Sequence, residues 1–133
     1  MKTDLIVINK SGAELGISDE ILFRALELTL IEIGRPNAGR VELTFIDDGT
    51  MAELNKKHRG KDGVTDVLSF VYKEDGVLGE IFVAPNYALS QKRNLIHLFI
   101  HGLLHLYGFE HGTDESAEEM ERIEERTLSL LSF

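Results

Sequence analysis

Cysteine is absent from this chain of 133 residues. Neither a disulfide nor a thiolate metal ligand is available, so histidine is the only strong nitrogen or sulfur ligand left. No apolar run approaches the ~20 residues that span a bilayer. The opening residues, Met1-Lys2-Thr3-Asp4-Leu5-Ile6-Val7-Ile8, lack an apolar stretch long enough for a signal peptide. A cytoplasmic single domain over residues 1–133, with no membrane contact, is expected. Positive charge is scarce too: 14 Lys and Arg stand against 23 Asp and Glu, a net charge of −9. Such an excess of acid argues against non-specific nucleic-acid binding. The distribution softens that conclusion. Residues 110–126 hold eight acids and two bases, which leaves the rest of the chain only mildly acidic. In the opposite sense, Lys56, Lys57, Arg59 and Lys61 place four bases within six residues.

Apolar residues make up 43% of the chain and charged ones 28%, as in an ordinary globular protein. One core is expected to bury about two-thirds of the unfolded surface at this length. Leu5–Ile8 reads as a short strand. Ser18 can cap a helix that begins with Asp19 and Glu20, acids suited to the positive end of its dipole, and ends at Gly34. Val41, Leu43 and Phe45 alternate with polar residues as in a half-buried strand. Thr50-Met51-Ala52-Glu53 has the form of a capping box, opening a helix to about His58. Val67 to Tyr72 and Val77 to Val83 read as strands joined by a turn at Glu74-Asp75-Gly76, with Pro85 ending the second. One helix is expected from about Ser90 to Tyr107. A last helix runs from Asp114, capped by Thr113, to about Leu131, with Ala117, Met120, Ile123 and Leu130 toward the core and its acids toward water. This order implies an α+β fold: a mixed sheet of about four strands packed with four to five helices, the helix carrying the histidines buried at the centre.

Four of the five histidines, His97, His101, His105 and His111, fall within fifteen residues. A four-residue step on a helix turns about 400°, so His101 and His105 stand about 40° apart on one face and can hold one ion between them. Gly108 can take the left-handed conformation that closes a helix, after which His111 can supply a third nitrogen. The surrounding helix is apolar, and unsatisfied imidazoles there would cost roughly 1–3 kcal/mol each. A metal satisfies several at once. Three imidazoles leave one tetrahedral position free, the catalytic rather than the structural pattern for zinc. His97 precedes His101 by one turn but cannot share an ion with His105, because eight helical residues span about 12 Å. It can orient a neighbouring ligand or act on substrate; a hydrogen-bonded core histidine is the simpler reading. His58 reads as a surface residue.

Such a centre acidifies bound water and polarises a carbonyl or phosphoryl oxygen, which is hydrolytic chemistry. Metzincin peptidases share the ligand spacing in H-E-x-x-H-x-x-G-x-x-H, but they need glutamate in second place as general base. Gly102 stands there and cannot accept a proton. For a phosphodiester the site must instead grip an anion, and Arg59 in the basic segment has the planar fork for it. A solvated surface arginine is the equal alternative from spacing alone.

His101-Gly102-x-Leu104-His105-Leu106-x-Gly108-x-x-His111 resembles the signature of the YbeY-type endoribonucleases, the bacterial rRNA maturation factors. Upstream, Glu53-Leu54-Asn55, Arg59-Gly60-Lys61 and Thr65-Asp66-Val67-Leu68-Ser69-Phe70 are similar to that family's second block. Leu78-Gly79-Glu80-Ile81 is similar to its third, and Ala117-Glu118-Glu119-Met120-Glu121 to its last helix. The resemblance implies that His101, His105 and His111 bind one zinc ion and that Arg59 lines the active-site cleft. It also implies cleavage of single-stranded RNA in processing of the small-subunit rRNA 3-prime end and in ribosome quality control. The partners it implies are the ribosome, small-subunit proteins and an Era-type GTPase. Docking on protein would bring an acidic molecule to RNA without neutralising phosphates. The chain departs from the family pattern at Phe109 and Glu110, where tyrosine and aspartate are usual, and at Val71, where proline is common. The stretch from Pro85 to His97 is also shorter than usual. No side chain is an evident general base, and the nucleophile is either metal-bound water or the neighbouring 2-prime hydroxyl; Glu110 is a candidate for the base. The alternative function is a ribosome-assembly factor with a mainly structural zinc.

Overall fold

The computed structural model describes residues 4–35, 39–74 and 77–131. Four strands and five helices lie within these residues. Strand β1 (Asp4–Asn9) is followed by α1 (Asp19–Ile33), β2 (Arg40–Phe45), α2 (Asp48–Arg59), β3 (Val67–Glu74) and β4 (Val77–Val83). Helices α3 (Pro85–Ser90), α4 (Leu95–Leu106) and α5 (Asp114–Leu130) complete the chain. The turn expected at Glu74-Asp75-Gly76 falls, at Asp75 and Gly76, outside the described residues.

The sheet order is β1-β2-β4-β3. β1 and β2 pair in parallel, as do β2 and β4, whereas β3 returns antiparallel along the outer side of β4. The sheet is therefore mixed, and the fold is α+β as expected. Alternation along the strands separates its two faces. Val41, Leu43, Phe45, Ile81 and Val83 point into a core shared with α1 and α4. Leu68, Phe70 and Phe82 point the other way, into a smaller cluster with Met51 and Leu54 of α2. Helix α2 thus covers one face of the β3–β4 half, and α4 covers the opposite face.

Local chemistry sets the helix limits. The Ser18 hydroxyl accepts from the Ile21 N–H, and Gly34 closes α1. Leu22, Ala25, Leu26, Thr29 and Leu30 form its buried stripe. Helix α2 begins earlier than the expected capping box. Asp47, not Thr50, is the cap, and its carboxylate accepts from the Thr50 N–H at 2.7 Å. The helix expected from Ser90 to Tyr107 is two helices. Pro85 both ends β4 and starts α3 from its first turn, where the missing N–H costs nothing. Lys92 takes a left-handed φ of 58°. The Asn94 side chain then accepts from the N–H groups of Ile96 and His97, at 2.8 and 3.1 Å, and restarts the chain as α4. In α5 the buried side is Met120, Glu124 and Thr127, while Ala117 and Ile123 are half-buried. Leu130, expected in the core, is 44% exposed, and Leu131 takes the buried place.

Candidate metal centre

Every residue of α4 is buried except His97, His101 and His105. The three form a ridge, one turn apart, along the only open side of the helix. The other sides are held against the sheet, α1 and α5. Gly102 explains how closely α4 lies on the sheet. A Cβ there would stand 2.8 Å from Ile81 Cγ2 and 3.0 Å from Ser69 Oγ. The Gly102 carbonyl also accepts a hydrogen bond from the Ser69 hydroxyl at 3.2 Å.

The end of α4 turns the chain back onto the ridge. Gly108 adopts φ 91°. Its N–H donates to the His105 carbonyl at 3.1 Å, and the Phe109 N–H to the Leu104 carbonyl at 2.9 Å. These two reversed bonds are a Schellman closure. They carry the chain past the helix end and set His111 beside the other two rings. The His111 ring centroid lies 5.5 Å from that of His101 and 5.1 Å from that of His105.

One ligating atom from each of His101, His105 and His111 lies within 4.8 Å of the others. The Nε2 atoms of His101 and His105 are 3.1 Å apart. Two nitrogens bound tetrahedrally at about 2.05 Å from one ion stand roughly 3.3 Å apart, so this pair is already spaced for a shared metal. The exposed His111 side chain would need only a turn to bring its nitrogen to the same spacing. Burial pushes the His105 imidazole below its usual range, and the neighbouring charges of His101 and His111 push the same way. Near neutral pH its ring is uncharged and offers a lone pair, as ligation requires. A hollow of about 310 Å³, lined by His105, Glu110, His111 and Gly112, opens beside the cluster.

Behind the cluster stands a carboxylate that the sequence did not single out. Glu124 of α5 is only 6% exposed. It accepts from His101 Nδ1 at 2.7 Å and from His97 Nε2 at 2.6 Å. Burial by itself raises its pKa, but the hydrogen bonds and charges of His101 and His97 outweigh that and hold it at about 2. Glu124 was hidden as one acid in an acidic stretch expected to face water. The signal that could have found it is its place four residues after Met120, on the side of α5 turned to the core.

The family model for endoribonuclease YbeY matches residues 17–132. The chain belongs to that family. The endoribonuclease YbeY of Desulfitobacterium hafniense is 33% identical over 98% of this chain and 93% of its own length. That of Azorhizobium caulinodans is 34% identical over 100% of this chain and 94% of its own. Among solved structures, the solution structure of TM1509 from Thermotoga maritima aligns with a TM-score of 0.57 at 27% identity, covering 94% of this chain and 89% of that one.

The YbeY signature thus maps onto α4 and the closure after it. The other matching segments have structural work. Asp66 pairs with Arg93 at 3.2 Å, tying the start of β3 to the α3–α4 connection. Buried Asn55 donates to the Gly63 carbonyl at 3.0 Å and anchors the basic loop. Arg59 is the last residue of α2, exposed, on the sheet face opposite α4, and it does not line the hollow at His105 and His111. His58 is exposed as expected, and its ring packs edge-on against Phe70 at 4.8 Å. His97 is hydrogen-bonded, as the simpler reading had it, though to a carboxylate that also serves a ligand histidine. No helix of the described residues is long and apolar enough to cross a membrane.

Proposed function

We propose that this chain is a zinc-dependent endoribonuclease that cuts single-stranded ribosomal RNA, acting in 3-prime processing of the small-subunit rRNA and in ribosome quality control. A nuclease role follows from its place in the endoribonuclease YbeY family. The observation that carries the metal-dependent chemistry is the cluster of three imidazoles with an open hollow on one side. A nitrogen-only donor set of this size, with no thiolate in the chain, suits zinc with one position left for substrate or water. Zinc bound there supplies a Lewis acid for a phosphoryl oxygen.

The remaining steps belong to side chains. Glu110, exposed on the wall of the hollow, would take a proton from the attacking oxygen. Gly102 offers no base, and its contact with Ile81 and Ser69 leaves no space for one, which disfavours peptidase chemistry. Arg59 lies on the sheet face opposite the histidines, so it would grip a phosphate of the strand and offset the charge on its oxygens only where that strand passes around the edge strand β3 to the histidine hollow. Beside it, a second hollow of about 490 Å³ is lined by His58, Phe70, Tyr72 and Phe82, among others. Rings next to Lys56, Lys57 and Lys61 suit an unpaired strand, because bases stack on aromatic faces while lysines meet phosphates. The ribosome, small-subunit proteins and an Era-type GTPase are the proposed partners, since protein docking lets a chain of charge −9 approach RNA.

Arg59→Ala is expected to abolish cleavage of a single-stranded RNA while zinc content, read by elemental analysis, stays at one per chain. Undiminished cleavage by that variant removes Arg59 from the reaction. Equal RNA degradation by the wild type and by His105→Ala would instead favour an assembly factor with a structural zinc.

A further inference from the structure

Both oxygens of the Glu124 carboxylate are engaged, one by His97 and the other by His101. An ionised carboxylate only accepts hydrogen bonds, so each imidazole must donate an N–H: His97 from Nε2 and His101 from Nδ1. A neutral His101 with its proton on Nδ1 has its lone pair on Nε2. That is the atom facing His105 Nε2 at 3.1 Å. The carboxylate is walled in by its own helix: Met120 and Thr127, one turn away on either side, are both buried. His97 closes the open end, with about a third of its side chain exposed.

We propose that Glu124 is a positioning residue of the metal centre: it fixes the tautomer and ring plane of His101 so that Nε2 ligates, and His97 clamps the carboxylate from the far side. This rests on the metal centre of the proposed function but not on its substrate. A carboxylate behind a ligand imidazole makes that imidazole a better donor, and its loss typically weakens metal binding by about 10–100-fold. The arrangement also accounts for the fourth histidine. Without His97, one Glu124 oxygen would lose its fixed donor and open toward water, and the carboxylate could turn away from His101.

The test is zinc affinity by competition with a chromophoric chelator, together with nitrogen-15 spectra of the histidine rings in metal-free and zinc-loaded full-length protein. In the wild type, His101 should carry its proton on Nδ1 in both states and bind zinc through Nε2. Glu124→Gln should bind zinc about 10–100-fold more weakly and lose the single His101 tautomer, with its circular dichroism unchanged. If that variant does not fold, His97→Ala serves instead. It should weaken zinc binding by a smaller factor, and His97→Gln, whose amide can donate to the same oxygen, should restore it. A wild-type His101 protonated on Nε2, or ligating through Nδ1, overturns the proposal. So does a folded Glu124→Gln with wild-type zinc affinity, or His97→Ala and His97→Gln binding zinc alike. None of these measurements uses RNA. A chain that passes them but cuts no RNA loses the nuclease function and keeps this centre.

Discussion

Gly102 sits between two ligand-bearing turns, and its missing side chain has a steric cause. The Cβ of an alanine there would meet Ile81 Cγ2 at 2.8 Å, and Ile81 is itself fully buried in a central strand. A branched buried side chain has little room to yield, so overpacking at this point costs on the order of 1–3 kcal/mol. Gly102→Ala is therefore expected to lower the thermal midpoint. It should also weaken zinc binding, because α4 lifts from β3 and carries His101 and His105 with it. A variant with wild-type stability would show that the helix is not held this close. Glu110 is a different kind of residue, exposed on the rim of the hollow. Glu110→Gln should leave zinc content and stability alone and reduce the cleavage rate by about 10²–10⁴-fold if the carboxylate is the general base. A rate within a few-fold of the wild type would put the base elsewhere.

Helix ends decide where the functional side chains stand. The basic end of α2 is set by its other end, because Asp47 starts the helix that delivers Lys56, Lys57 and Arg59. The Asp47 pKa is lowered, first by the hydrogen bond from the Thr50 backbone. A carboxylate lowered by folding contributes stability above its unfolded value of 3.8 and loses it as pH falls through the folded value. Asp47→Ala should accordingly lower the thermal midpoint at pH 7 and lower it less at a more acid pH, as the wild-type cap loses its charge. An equal effect at both values would rule out the charge as the cause. Signals at helix ends also account for what could be read in advance. Ser18, Gly34, Gly108 and Thr113 each bond to their own neighbours, so the ends of α1, α4 and α5 were legible in the sequence. The break between α3 and α4 was not, because the apolar pattern continues across it and Asn94 competes with that pattern through two local hydrogen bonds. Glu124 was illegible for another reason. An acid in an acidic helix reveals its partners only once α5 is laid beside α4, and that contact is long-range.

At the scale of the whole molecule, the sheet separates two kinds of charge. The acid-rich stretch runs into α5, which packs with α1 and α4 on one face. The four bases at the end of α2 belong to the other face, beside the aromatic hollow. A net charge of −9 therefore hides a surface to which a phosphate backbone can be drawn. Single-stranded RNA held by four cations should show a slope of about −3 when the logarithm of the binding constant is plotted against that of salt concentration, from ~0.7 counterions released per phosphate. Replacing Lys56, Lys57 and Lys61 together by glutamine leaves Arg59 alone on that face and should bring the slope to about −1. Zinc content should not change, because no ligand comes from α2. If the slope keeps its wild-type value in the triple variant, RNA is held somewhere other than the basic end of α2, and the route from that face around the edge strand β3 to the histidines must be abandoned.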